Sequence, residues 1–223
     1  MISSARLASL KCIHGIDVSH YQTDIDWKQL KDQGFTFAFA KITQGATGYE
    51  GNIYKLADRI KAANELYFKL GYYHFASPGD LINPALDAKA EADNILSHLK
   101  ILQHIQFPIC IDLEAYAKTM VWSDKDKVTN LSIFKNTLIL CLKAEGNSII
   151  DYGNKWFDDS NKIGFPNDLW LSAYLTDPEH NLPQLPLGYN DWKIWQYSGT
   201  GCVKGCLGEV DLNIMKEDYF DEF

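Results

Sequence analysis

The chain has 223 residues, 46% hydrophobic and 22% charged, so it can bury a sizeable core and is not an extended disordered chain. Lys and Arg number 21 against 29 Asp and Glu, a net charge of −8 that argues against nucleic acid or an anionic membrane as partner. No apolar run approaches the roughly 18 residues of a transmembrane helix, so membrane insertion is not expected, and length alone leaves one large domain or two small ones open.

Short apolar runs alternate with helical patterns along most of the chain. Residues 1–10 lack the apolar stretch of a secretory signal. Residues 15–19 form a short apolar run, followed by a helical pattern at 26–32. Residues 35–42 are aromatic and apolar with few charges, as in a strand buried on both faces. Ile53, Leu56, Ala57 and Ile60 recur at helical spacing within 52–64, and 70–76 is again strand-like. Asn83 followed by Pro84 is a helix cap with proline at the first helical position, opening a helix to about residue 99. Strands at 107–113 and 148–152 bracket a helix at 131–144 that Gly146 ends, and 155–159 is a short helical stretch. These make five strand–helix units.

The pattern then changes. Residues 169–174, 193–197 and 209–212 are strand-like, but only loops rich in Pro, Gly and Asn separate them. Alternating units predict a parallel sheet, and eight strands can close into a barrel. The expectation is a single α/β barrel over residues 14–223, behind an N-terminal extension at 1–13.

Such barrels carry their active sites at the C-terminal ends of the strands. Asp17 ends the first run, Lys41, Thr43 and Gln44 the second, and Tyr73 and His74 the third. Asp112 and Glu114 end the fourth, Tyr174 the sixth and Gln196 the seventh, while the last run carries Asp211 and Asn213. His74 reads equally as a ligand contact and as a hydrogen-bonded core residue. One aspartate at a strand end commonly caps a helix, but four carboxylates on one rim repel each other and are not gathered without use. Asp112 and Glu114, two apart on a strand, face the same side. Their closeness raises one pKa and makes one carboxyl a proton donor near neutrality. Two carboxyls of split proton affinity are the equipment for breaking a glycosidic bond, and a hard divalent cation is the rival occupant. The 12 Tyr and 6 Trp suit a sugar-binding cleft.

The remaining signals are weaker. Five scattered cysteines are not a disulfide framework. Cys202 and Cys206 could close a small loop or stay unpaired, and Cys110 and Cys141 read as small core residues. The histidines show no metal-ligand spacing, and no metal or cofactor is expected. Trp170 and Trp195 read as packing. Trp122, in the loop after Glu114, could stack on a sugar or simply cover the barrel.

Several of these segments together resemble glycoside hydrolase family 25, the muramidases of the phage-endolysin and fungal type. They are Gly15-Ile-Asp-Val-Ser-His-Tyr-Gln22, Ile25-Asp-Trp27, Phe39-Ala-Lys-Ile-Thr43, Gly71-Tyr-Tyr-His-Phe75 and Asp87-Ala-Lys-Ala90. Further along come Pro108-Ile-Cys-Ile-Asp-Leu-Glu114, Trp170-Leu-Ser-Ala-Tyr174, Trp195-Gln-Tyr-Ser198 and Val210-Asp-Leu-Asn213. The likeness runs in order from about residue 14 to 216 and implies a (β/α)5(β)3 barrel. It implies cleavage of the β-1,4 bond between N-acetylmuramic acid and N-acetylglucosamine in peptidoglycan. Glu114 would be the proton donor, with Asp17, Asp112 and Asp211 completing the carboxylate set. Tyr73, Tyr174 and Gln196 would line the sugar subsite, together with Lys41, Gln44 and His74 at the same rim.

The two-residue spacing of Asp112 and Glu114 exceeds the roughly 5–5.5 Å of direct double displacement and favours substrate assistance, in which Asp112 orients the 2-acetamido group. The chain departs from the family pattern at Gln44, where a glutamate is usual, and at Asp151 and Tyr152, which receive no role. A monomer acting on the cell wall is expected, whether secreted, periplasmic or released as an endolysin. A barrel that binds peptidoglycan or chitin fragments without cutting them, and a hydrolase of chitin-like glycans, are the alternatives.

Overall fold

Adjacent side chains of a strand face opposite sides of its sheet, and in this chain both sides are buried. The computed structural model describes residues 1–22, 24–49, 53–79, 81–102, 106–114, 123, 125–161 and 167–223. Within them the chain runs α1 (Ser4–Leu10), β1 (Cys12–Val18), α2 (Trp27–Asp32), β2 (Phe35–Gln44), β3 (Gly48–Tyr49) and α3 (Ile53–Glu65). Next come β4 (Lys69–Phe75), α4 (Pro84–Leu102), β5 (Ile109–Asp112), α5 (Lys127–Ala144), β6 (Ile149–Gly153) and α6 (Lys155–Asn161). The last elements are β7 (Asp168–Ser172), β8 (Ile194–Gly201), β9 (Val210–Lys216) and α7 (Glu217–Asp221).

The strands pair in the order β1-β9-β8-β7-β6-β5-β4-β2, and β1 also pairs with β2, which closes the barrel. Five strand–helix units followed by three strands match the count from periodicity. The strand directions do not all match. β9 runs antiparallel to both β1 and β8, because the connection 202–209 is too short for a parallel crossover. Its first residues therefore lie at the same end of the barrel as the last residues of the other strands. The short β3, which the sequence pattern does not predict, pairs with β2 as a hairpin, and Asn94 of α4 ties that hairpin down by donating to the carbonyls of Gly45 and Gly48 at 2.8 Å each.

One apolar cluster fills the barrel and another lies between barrel and helices. The inner cluster contains Phe37, Phe39, Phe107, Cys110, Ile150, Trp170, Ile194 and Met215. The outer one takes the alternate residues, such as Ala38, Ile109, Ile149, Leu169, Trp195 and Ile214. Two inward glycines make room for the phenylalanines: a Cβ on Gly15 would lie 2.3 Å from the Phe37 ring, and one on Gly71 2.3 Å from Phe39.

Both chain ends belong to this body. Ile2 is buried, its carbonyl accepts from His14 Nε2 at 3.2 Å, and β1 already begins at Cys12. Residues 1–13 thus pack onto the barrel instead of extending from it. α7 plugs the far end, where Tyr219 enters the inner cluster and Phe220 and Phe223 meet Phe107. All five cysteines are free thiols, so Cys202 and Cys206 form no disulfide.

Filling the space at Gly71 should strain the interior. Gly71→Ala should cost about 1–3 kcal/mol, measured as a lower urea midpoint, and an unchanged midpoint would contradict the packing described.

Candidate active site

At the end of the barrel where β9 begins, the inward positions turn polar. β1 supplies Asp17, β2 Lys41, β4 Tyr73 and β5 Asp112, with Glu114 two residues beyond. β6 supplies Tyr152, β8 Gln196, and β9 Asp211 and Asn213, while Tyr174 follows β7. Asp17 and Asp211 are register partners across the antiparallel β1–β9 pair. Reversal of the last strand is what brings the fourth carboxylate to the rim.

Fixed donors orient the amides around Asp17. The Trp170 indole can only donate, and its Nε1 bonds Asn213 Oδ1 at 2.8 Å. Asn213 must then turn its amide nitrogen to Asp17 Oδ2, 2.8 Å away. Gln196 Oε1 accepts from the hydroxyls of Tyr152 at 2.8 Å and Tyr174 at 2.6 Å, so its Nε2 donates to the same Asp17 oxygen at 2.8 Å. Burial pushes the Tyr174 hydroxyl up to about 12 and holds Tyr152 well above its ordinary range, so both keep the protons they donate.

Burial also raises the proton affinity of all four carboxyls. Asp112 is held well above the usual carboxylate range by desolvation and by the nearby Glu114 and Asp17, with Lys41 opposing. Glu114 is raised by desolvation and by Asp17. Asp17 is raised by burial but pulled back by hydrogen bonds from Asn213, Gln196 and Asp211. Desolvation, then Asp17, pushes Asp211 up to about 8. Every donor on Asp17 favours its ionised form, so the proton between these two carboxyls rests on Asp211. Among the described residues, Asp112 Oδ1 is buried without a hydrogen-bond partner. The arrangement holds a proton on Asp211 up to about 8 and leaves Asp112 Oδ1 as an unfilled acceptor among the described residues.

Most residues expected at the rim are there. Lys41 Nζ donates to Gln44 Oε1 at 2.7 Å, and Tyr73 sits edge-on to Trp170 with centroids 6.5 Å apart. His74 is the exception and corrects the expectation of a substrate contact. Next to the inward Tyr73 it must point outward, where it is 0% exposed. Its Nε2 lies 2.7 Å from Glu91 of α4 and its Nδ1 2.8 Å from the Thr43 hydroxyl. Asp151 also faces outward, 3.3 Å from Lys135 of α5, with both side chains buried. Trp122 lies outside the described residues.

Sequence reasoning missed Tyr152 and the roles of Asn213 and Trp170. Tyr152 ends the fifth apolar run and satisfies the same strand-end criterion as the others. The Trp170–Asn213 bond had no signal, because it joins residues 43 positions apart on strands that are not neighbours. Among the described residues, no group of His, Cys, Asp and Glu has the geometry of a metal site.

A family model described as glycosyl hydrolases family 25 matches residues 16–206. The chain is 27% identical over 215 residues to Lysozyme M1 of Streptomyces globisporus, covering 90% of this chain and 67% of that protein. The structure of a family 25 glycosyl hydrolase from Bacillus anthracis superposes with a TM-score of 0.75 at 25% identity, covering 95% of this chain and 93% of the other. A bacterial lysozyme from Streptomyces coelicolor gives 0.71 at 24% identity over 90% of each chain, a likeness of fold.

The raised carboxyls make stability depend on pH. Asp211 keeps its proton in the folded state from its ordinary value of 3.8 up to about 8, so the folded state binds more protons than the unfolded chain. Its stabilising contribution is complete below about 3.8 and is lost as pH rises toward about 8. Asp211→Asn, neutral throughout, should lose less stability over that range than the parent, measured as urea midpoints at both ends. Equal pH dependence in the two proteins would contradict the assignment.

Proposed function

The chain belongs to glycosyl hydrolase family 25, and we propose that it is a muramidase, cutting the β-1,4 bond between N-acetylmuramic acid and N-acetylglucosamine in peptidoglycan. Glycoside hydrolysis follows from the family. The observation that carries the finer reading is the group of four carboxyls of raised proton affinity gathered at the barrel mouth. Relatives named as lysozymes support the substrate.

Glu114 is the general acid. It is only half-buried, so it can meet an incoming glycosidic oxygen, and desolvation and the nearby Asp17 raise its proton affinity, which favours the protonated, donating form. Asp112 orients the attacking group. Its unpaired Oδ1 is an acceptor suited to the N–H of a 2-acetamido substituent, which turns the acetamido oxygen toward the anomeric carbon. Bond cleavage then transfers the Glu114 proton to the leaving oxygen as the acetamido oxygen closes onto the sugar. Water opens that ring with Glu114 as base, so the configuration is retained. Asp17 supplies fixed negative charge beside the positive charge that develops on the sugar. Tyr73, Tyr174, Gln196, Lys41 and Gln44 shape the surrounding subsite.

The partner is the glycan strand and the place of action is the cell wall, with a single chain sufficient for the reaction. No described helix is long and apolar enough to cross a membrane.

Glu114→Gln should fold normally and lose about 10²–10⁴-fold in kcat on purified sacculi, followed by released reducing ends. The fall in activity of the parent at high pH, where Glu114 ionises, should vanish in this variant. Products reduced with borohydride should yield muramitol. Full activity of the variant, or glucosaminitol as the product, would overturn the proposal.

A further inference from the structure

A groove of about 600 Å³ leads away from the barrel mouth, between the β6–α6 junction and the segment after β7. Tyr174 belongs to both places. Its hydroxyl bonds Gln196 in the mouth, while its ring, 59% exposed, forms the near wall of the groove. Trp156 of α6 lines the groove further out and is 78% exposed. A lone surface aromatic needs no explanation, but this one lines a concave surface that shares Tyr174 with the barrel mouth. The volume falls in the range of roughly 300–1,000 Å³ usual for small-ligand sites.

The charges in the groove wall are already matched. Lys155 Nζ bonds Asp159 at 2.8 Å and the Leu185 carbonyl at 3.1 Å, and Asp177 holds His180 at 3.0 Å. A stem peptide, with its carboxylates and amine, would have to compete with these existing contacts of Lys155 and Asp177, the charged side chains among the described residues that line the groove. A neutral pyranose would find an aromatic face to stack on and amide side chains such as Gln184 around it.

We infer that this groove is a distal subsite for a neutral N-acetylhexosamine ring of the same glycan strand, with Trp156 as its stacking platform. The inference rests on the muramidase reading for its ligand. Productive binding then spans more than the cleaved disaccharide, and longer strands are preferred because one more ring is held. Trp156 lies on the surface of its helix, so its replacement leaves the barrel interior untouched.

The test compares peptide-free tetrasaccharide and octasaccharide glycans of alternating N-acetylglucosamine and N-acetylmuramic acid. In the parent, kcat/KM should be higher for the octasaccharide. Trp156→Ala should lower the octasaccharide-to-tetrasaccharide ratio roughly tenfold, mainly through KM, and Trp156→Phe should retain most of it. An unchanged ratio would overturn the inference. So would a defect confined to strands that carry stem peptides, which would make the peptide the occupant. Calorimetric binding of the octasaccharide to the parent and to Trp156→Ala gives a readout independent of turnover. If the parent cuts neither glycan, the muramidase reading fails. Weaker octasaccharide binding by Trp156→Ala would still support the subsite, and equal binding would overturn it.

Discussion

Four carboxyl groups, two buried and two half-buried at the mouth of an apolar barrel, impose the constraint around which the rest is arranged. Each would lose hydration on ionising, and each repels the others. The cluster persists because protons and fixed donors relieve it. Asp17 takes two amide N–H groups whose direction is set by an indole and two phenols. Asp211 answers by keeping a proton. Asp112 and Glu114 have their proton affinity raised by desolvation and by their carboxylate neighbours. Stability is given up at this rim, and the apolar layers beneath supply it.

Strand alternation lets one barrel carry two separate polar systems. Tyr73 and His74 are adjacent on β4, yet Tyr73 faces the mouth while His74 joins Thr43 and Glu91 between sheet and helix. On β6, Tyr152 reaches Gln196 and its neighbour Asp151 pairs with Lys135. The outward systems fasten α4 and α5 to the sheet. They hold the strands whose inward residues form the site, without contributing chemistry to it.

Much of this was legible before any coordinates. The alternating runs counted eight strands, and the strand-end rule pointed to Asp17, Asp112 and Glu114 at the rim, which Asp211 reaches from the start of the reversed β9. Two orientations follow from strand geometry alone. Adjacent residues cannot both face inward, which already separates His74 from Tyr73. A connection as short as 202–209 cannot return a parallel strand, which already reverses β9. Other features had no local signal. The bond from Trp170 to Asn213 depends on closure of the barrel, and the integration of both chain ends depends on contacts that only the folded surface creates. Periodicity shows which face of a segment is buried, not which distant residue will meet it.

Protons are distributed unequally among these carboxyls, and titration of the side-chain carboxyl carbons by 13C NMR reads that distribution residue by residue. Asp211 should keep its proton to about 8, Asp17 should ionise before it, and Glu114 should titrate above the ordinary glutamate range. Four independent titrations near ordinary carboxylate values would contradict this distribution.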